Sequence, residues 1–443
     1  MLMDVGEASA TPSPQGGAPR LRYANRQQAT LRVCSLDTLV PEDHPVRVVW
    51  DYVASLDLTP LLQKIRSTEN RPGAPPADPR ILVALWLYAT LRGVGRARDL
   101  DRRCDPDTGE VPFQWICGEV TVNYHTLTDF RTEHVELLDR LLTSSVAALR
   151  HQELVDLERV AQDGMKVRAH AGASSFRRRP TLQACLQEAQ EQVQGLKNEL
   201  HDDPAAGNRR QQAARERAAR ERAERLQRAL EQLPLIEAKK KATEKAEARA
   251  STTDADARVM KMGDGGYRPA FNVQMATDTK TQIIVGVSVT NSGGDQGQMA
   301  PMVEQLQERY GEAPQAMLVD GGFAKKEDIE AVSGPQGKTT VYAPVQKSKD
   351  PERDAHTPRT DDPPAVAEWR TRMATEAAKQ IYRERASTAE CVNAHARNRG
   401  LYQFQVRGLR KVLAVMLWHV LAHNLMRAAA VRVDRENQAI RGN

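Results

Sequence analysis

Cysteine is scarce in this chain, with five in 443 residues at positions 34, 104, 117, 185 and 391 and no CxxC pair among them. An odd number without paired spacing excludes a disulfide framework and an ordinary zinc ribbon, and it fits a reducing compartment. Long apolar runs are missing as well. The start, "MLMDVGEASATPSPQGGAPR", has no apolar core of the kind that directs secretion. The most apolar run, "KVLAVMLWHVLAHNLM", is short and holds two histidines. No signal peptide and no membrane span are expected, and a cytoplasmic location follows. Charge of one sign is not in large excess either: 63 Lys and Arg face 58 Asp and Glu, a formal net charge of +5 with a pI near 8.9. That balance is compatible with a polyanion partner without establishing one. At 49.3 kDa the chain exceeds one ordinary core, so two or three domains are the expectation.

Residues 1–29 are small and rich in proline and glycine, with nothing to bury, and are read as a disordered tail. Over 30–150 the apolar spacing is helical. "DPRILVALWLYATLRGV" places Ile81, Leu82, Leu85, Leu87, Tyr88 and Leu91 around most of a helix, which predicts burial among other helices. Strand character begins near residue 155 with "LERVAQDGMKVRA" and resumes in "YRPAFNVQMATDTKTQIIVGVSVTN", where "TDTKT" supplies a hairpin turn. A helix, a strand ending at Asp320, a short strand ("TTVYAPV") and further helices follow. This order predicts an α+β architecture, a helical N-terminal domain followed by a mixed sheet flanked by helices.

Between the first and second strands, residues 175–250 carry two heptad seams. Leu182, Leu186, Ala189, Val193, Leu196 and Leu200 form one, and Ala219, Ala223, Leu226, Leu230 and Leu233 the other, joined by the turn chemistry of "HDDPAAGN". An antiparallel helical hairpin inserted in the sheet domain is the simplest structure. Residues 431–443 are read as a polar C-terminal tail, and "DDPPAVAEW" with its surroundings as a polar linker.

Two aspartates, Asp163 and Asp320, each end an apolar strand-like run and are followed by glycine. Hard carboxylate oxygens at neighbouring strand ends suit magnesium, which keeps its other positions for water and phosphate. A third acid from the C-terminal helices would complete such a site, and "IYRERASTAECVNAHARNRG" offers Glu384 and Glu390. Asp264 and Asp295 also neighbour glycines but end no apolar run, and turns account for them. His419 and His423 in "HVLAH" lack the HExxH glutamate and read as core residues. Cys104, Cys117 and His125 lack zinc spacing.

The C-terminal segment resembles the tyrosine, arginine, glutamate, lysine signature of bacterial insertion-sequence transposases of the DDE class, with Tyr382, Arg385, Glu390 and Arg397 on its four positions. "LVPEDHPVR", "DPRILVALWLYATLRGV" and "YHTLTDFR" look like the helical N-terminal domain of these proteins. "DGMKVRA", "GYRPAFNVQMATD", "VTNSGGDQGQMAPM" and "LVDGGF" follow in the family's order. The resemblance spans roughly residues 30–430 and implies an RNase H-like catalytic domain over 151–430. It further implies that Asp163, Asp320 and Glu390 are the catalytic, metal-binding acids, holding two Mg²⁺ or Mn²⁺ ions. Tyr382, Arg385 and Arg397 would position DNA. The implied partners are double-stranded DNA, both terminal inverted repeats and target, and at least a second copy of the chain on DNA, with no membrane. A non-catalytic DNA-binding descendant and an RNase H-like nuclease that cuts without joining are the competing readings.

Overall fold

The computed structural model describes residues 34–65, 67, 73–202, 209–347 and 353–442. The expected tail over 1–29 and most of the turn "HDDPAAGN" lie outside these residues. Seven helices come first: α1 (Pro45–Ala54), α2 (Thr59–Leu62), α3 (Pro79–Leu91), α4 (Ala97–Arg103), α5 (Val111–Cys117), α6 (Tyr124–Glu133) and α7 (Val135–His151). Their starts follow local rules. Proline stands in the first turn of α1, α2, α3 and α5, where its missing N–H costs nothing, and Asp78 and Asn123 accept from the free N–H groups of α3 and α6. Residues 81–90 of α3 are all buried, as its apolar circumference predicts.

Then follow β1 (Arg159–Arg168), β2 (Phe176–Arg177), α8 (Arg179–Asp202), α9 (Arg209–Ala238), β3 (Ala250–Ser251), β4 (Arg258–Lys261), β5 (Tyr267–Asp278) and β6 (Ile284–Thr290). The remainder is α10 (Met299–Tyr310), β7 (Ala316–Leu318), α11 (Lys326–Ser333), β8 (Thr340–Tyr342), α12 (Pro364–Met373), α13 (Glu376–Arg385), α14 (Cys391–Asn398) and α15 (Leu409–Gly442). The main sheet runs β4-β5-β1-β7-β8, with β6 pairing β5 beside β4. β1 is antiparallel to β5 and parallel to β7, and β7 is parallel to β8. A helical N-terminal region and a mixed sheet flanked by helices are thus present, in keeping with an RNase H-like fold. The β5–β6 turn is built as expected, Asp278 Oδ1 accepting from the Thr281 N–H at 2.7 Å.

α8 and α9 form the inserted hairpin. Arg179 pairs with Glu237 at 2.8 Å and Arg222 donates to Gln192 at 3.3 Å, so one helix ascends as the other descends. Leu182, Ala189, Leu226, Ala229 and Leu233 are buried between them in a cluster of their own. The N-terminal helices have no such separate core. They share one continuous cluster with the sheet, and α15 is the bridge. Trp418 of α15 donates to the Arg131 carbonyl of α6 at 3.0 Å, while Asn424 exchanges two hydrogen bonds with the Ile284 backbone of β6, at 2.8 and 2.7 Å.

Two expectations change. The apolar run in α15 is long and apolar enough, by length and composition, to cross a membrane, and the helix continues through residues 431–442, where a polar tail was expected. Two-thirds (67%) of that apolar window is nevertheless buried inside the protein, as in a core helix. The stretch read as a polar linker begins α12, whose Val366 and Trp369 are buried. Asp362 anchors its start. Burial works against its charge, yet Lys326 and Arg370 at 2.8 and 2.7 Å hold its carboxyl down to about 2.

Candidate active site

Asp163 lies in the middle of β1, not at its end as the following glycine suggests. Glycine inside a strand can mark a close approach instead of a terminus. Here a Cβ on Gly164 would stand 2.2 Å from Asp295 Oδ1, so the missing side chain is what lets that carboxylate reach the sheet. Asp320 does follow its strand closely. β7 pairs with β1 through Ala161 and Leu318, and two further residues on each strand are Asp163 and Asp320. Equal steps along parallel neighbours keep side chains on one face, which sets the two carboxylates side by side. A second glycine serves the turn after Asp320, whose Oδ1 accepts from the Gly322 N–H at 2.7 Å.

The C-terminal helices cover this face. Arg385, at the end of α13, reaches Asp163 Oδ1 at 3.0 Å and Asp320 Oδ2 at 3.9 Å, and its Nε is shielded without a partner among the described residues. Asn393 of α14 donates to the other Asp163 oxygen at 2.8 Å. Burial pushes the Asp163 carboxyl above the usual range; Arg385 opposes that shift, and Asp320 and Asp295 reinforce it. Burial likewise raises the phenol of Tyr382, which lies beside Arg385 and both aspartates.

Between α13 and α14 the helix widens into a π turn over Ala386–Glu390. Eight residues of α-helix would leave Arg385 and Asn393 about 80° apart around the axis, whereas one residue absorbed by a wide turn brings them within about 20°. Both therefore meet Asp163. The same turn puts Ala389, not Glu390, against Ala161, Ala316 and Leu318. Glu390 is exposed, and its side chain makes no hydrogen bond or ion pair among the described residues. Of the three expected acids, Asp163 and Asp320 meet and Glu390 stands aside from them, and no group of three His, Cys, Asp or Glu side chains suited to a metal occurs among the described residues. Glu384 is engaged elsewhere, with Arg159 at 2.6 Å and Thr279 at 3.3 Å. Of the expected DNA-positioning residues, Tyr382 and Arg385 join the aspartates. Arg397 is exposed on the solvent side of α14 with Glu390.

Asp295 is the residue that sequence reasoning missed. A turn does form there, yet its side chain accepts from Asn272 and Gln274, both at 2.7 Å, on the face of the sheet opposite Asp163. Gln162 extends the network to Gln274 and the Gln298 carbonyl, each at 3.0 Å. Alternating amides on β1 and β5, at positions that a buried strand would fill with apolar side chains, were the available signal. Asp264 is a hairpin turn as expected, its Oδ1 accepting from the Gly266 N–H at 3.0 Å. His423 is a core residue, donating to the Gln282 carbonyl at 2.8 Å.

Two adjacent hard carboxylates on a rigid sheet, facing a single guanidinium that offsets only part of their charge, form a place built for further positive charge. The donor chemistry of Asp163 and Asp320 fits a divalent cation. A family model described as Transposase DDE domain matches residues 239–425, and one described as Transposase domain (DUF772) matches residues 34–133. The first includes Asp320 and Glu390 and begins beyond Asp163. No curated protein and no solved structure matches the chain.

Proposed function

The chain belongs to the DDE transposases of insertion sequences, and from that premise we propose that it binds the terminal inverted repeats of its element, cleaves DNA there and joins the freed end to target DNA. The observation that carries this reading is the register of β1 and β7, which sets Asp163 beside Asp320 under Arg385. Members of the family act on DNA with divalent metal ions, which activate the attacking oxygen and stabilise the leaving one when bound. Asp163 and Asp320 would hold them, with Glu390 as the third acid.

Each remaining part of the task falls to a side chain on this face. Arg385 offsets part of the charge of the two aspartates and, once displaced from them, can clamp a phosphate oxygen with its planar fork. Tyr382 can stack on a base freed at a cleaved end. Asn393 orients the Asp163 carboxylate through one oxygen and leaves the other to Arg385. Glu390 completes the set only by moving toward the aspartates, and Arg397, two turns along its face, would follow it onto the DNA backbone. Two ends must be joined in one event, so the working unit is at least a dimer on DNA. A DNA substrate supports a cytoplasmic location.

Labelled duplexes carrying the element's ends, incubated with and without Mg²⁺ or Mn²⁺, test this reading. Asp163→Ala, Asp320→Ala and Glu390→Gln should each abolish cleavage while end binding survives, and Glu384→Gln should keep substantial activity. Retained cleavage in Glu390→Gln would transfer the third ligand to another residue. A wild-type chain that binds ends and never cuts them would favour a non-catalytic descendant, which the exposed position of Glu390 also suits.

A further inference from the structure

A second site lies at the far end of α14. A cavity of about 330 Å³ opens between the α3–α4 connection, α6, the loop after α14 and α15, with Arg96 and Gly400 at its mouth and Arg131, Arg399 and His419 in its walls. Its charge is one-sided. Arg131 is buried at 8% exposure; it lies over the Trp86 ring at 4.7 Å and donates through one nitrogen to the Gly95 carbonyl, while its Nε has no partner. The Arg399 guanidinium makes no hydrogen bond or ion pair among the described residues. His419 Nδ1 is shielded and unpartnered as well. One acid reaches the wall, Asp99, and it is committed to Arg102 at 3.2 Å and Arg103 at 3.5 Å.

Cationic groups withdrawn from water without a counter-charge are costly, and proteins normally pair them. Here the described residues supply no acid to Arg131 or Arg399. Burial alone lowers Arg131 to about 10, and burial with Arg131 and Arg399 beside it lowers His419 to about 3, so the imidazole is the group that registers the positive field of the cavity. Guanidinium groups converging on a polar cavity with free N–H donors match the oxygens of a phosphate group in charge and geometry.

We propose that this cavity binds a phosphate group, held by Arg399 and Arg131 with Arg96 at the mouth. The site is distinct from the aspartates. Arg399 lies six residues beyond Asn393, about 9 Å along the helix, so the same helix that touches Asp163 at one end presents Arg399 at the other. The proposal does not depend on cleavage at the acids, and its test needs no metal.

Thermal melts of the full chain in inorganic phosphate, against chloride at matched ionic strength, read the site directly. A saturable rise in melting temperature is expected in the wild type and in Arg217→Gln, an exposed control on α9, and at least a tenfold weaker response in Arg399→Gln. Gln405→Glu, which puts a carboxylate in the wall, should also lose it and replaces Arg399→Gln should that variant not fold. Absence of a saturable response, or an equal response in the wall variants, overturns the proposal. The source of the phosphate is read from anisotropy of a fluorescent duplex at constant ionic strength. Displacement by phosphate in the wild type but not in Arg399→Gln assigns the cavity to a DNA backbone phosphate. Phosphate binding without displacement assigns it to a free phosphate or nucleotide, and either result upholds the site.

Discussion

The chain holds two helical regions in opposite ways. The hairpin of α8 and α9 buries its own seam and meets the rest of the protein mainly at its base, where β2 pairs β3 and Arg258 donates to Gln232 at 2.6 Å. The N-terminal helices bury their apolar faces on α15 and the sheet, and polar links cross the same boundary: Arg309 of α10, itself 8% exposed at the side chain, donates to Thr143 of α7 at 3.2 Å. The sequence marks both as units, a helical first region and a hairpin with its own heptad seams, yet only the hairpin buries its apolar surface within itself. What decides independence is where the apolar surface is buried, not how many residues separate the parts.

The strongest way to break this comparison is to remove the first region. Deleting residues 34–151 strips α15 of its cover, and the remainder should show no near-UV circular dichroism and no cooperative melt. A cooperative transition in the truncated chain would make the N-terminal helices a separable domain after all. Next in size is Trp418→Ala, which removes a fully buried ring and its hydrogen bond to Arg131. Global stability should fall by roughly 3–5 kcal/mol, read from chemical denaturation.

Acid sharpens the contrast. His423 is depressed to about 4 by burial, against the Gln282 carbonyl and alongside the charges of Arg399, His395 and Arg427, and His419 to about 3. Both sit on α15 in the shared region. The unfolded chain takes up protons near pH 6.5 that the folded chain refuses, so stability is full above that pH and declines as pH falls toward 4, by on the order of a few kcal/mol. Denaturant melts at stepped pH should show the decline, and the double variant His419→Gln with His423→Gln should flatten it. The hairpin's core contains no histidine among its residues and should not follow. The smallest effect is expected from excising residues 179–238 behind a short linker, which should shift the melting temperature of the rest by a few degrees at most. A collapse of the fold there would show that the hairpin seam supports the sheet.

Much of the element order was legible because it rests on local rules. Prolines and Asx caps start the N-terminal helices, "TDTKT" closes β5 on β6, and the heptad seams bury Leu182, Leu226 and Leu233. The pairing of Asp163 with Asp320 was legible as a similarity between two short stretches, since each carboxylate follows a short apolar run and precedes a glycine. Other features were not, for the opposite reason. Gly164 resembles a strand terminator until Asp295 is seen beneath it, 131 residues away in sequence. The wide turn at Ala386–Glu390 has no compositional mark, yet it alone decides that Asn393 faces Asp163 and that Glu390 does not. Whether α15 joins the first region or hangs free as a tail also depends on a surface contributed from the other end of the chain.

The dependence of the N-terminal helices on α15 has a consequence during synthesis. α7 ends at His151 and α15 starts at Leu409, 258 residues later. At roughly 5–20 residues per second a ribosome needs tens of seconds to cross that interval, and throughout it α3, α6 and α7 display an apolar face whose partner has not yet been made. A nascent chain in that state is a client for chaperones and a target for proteases. Only a chain translated through α15 can close this core, so the N-terminal helices reach their final packing late in synthesis.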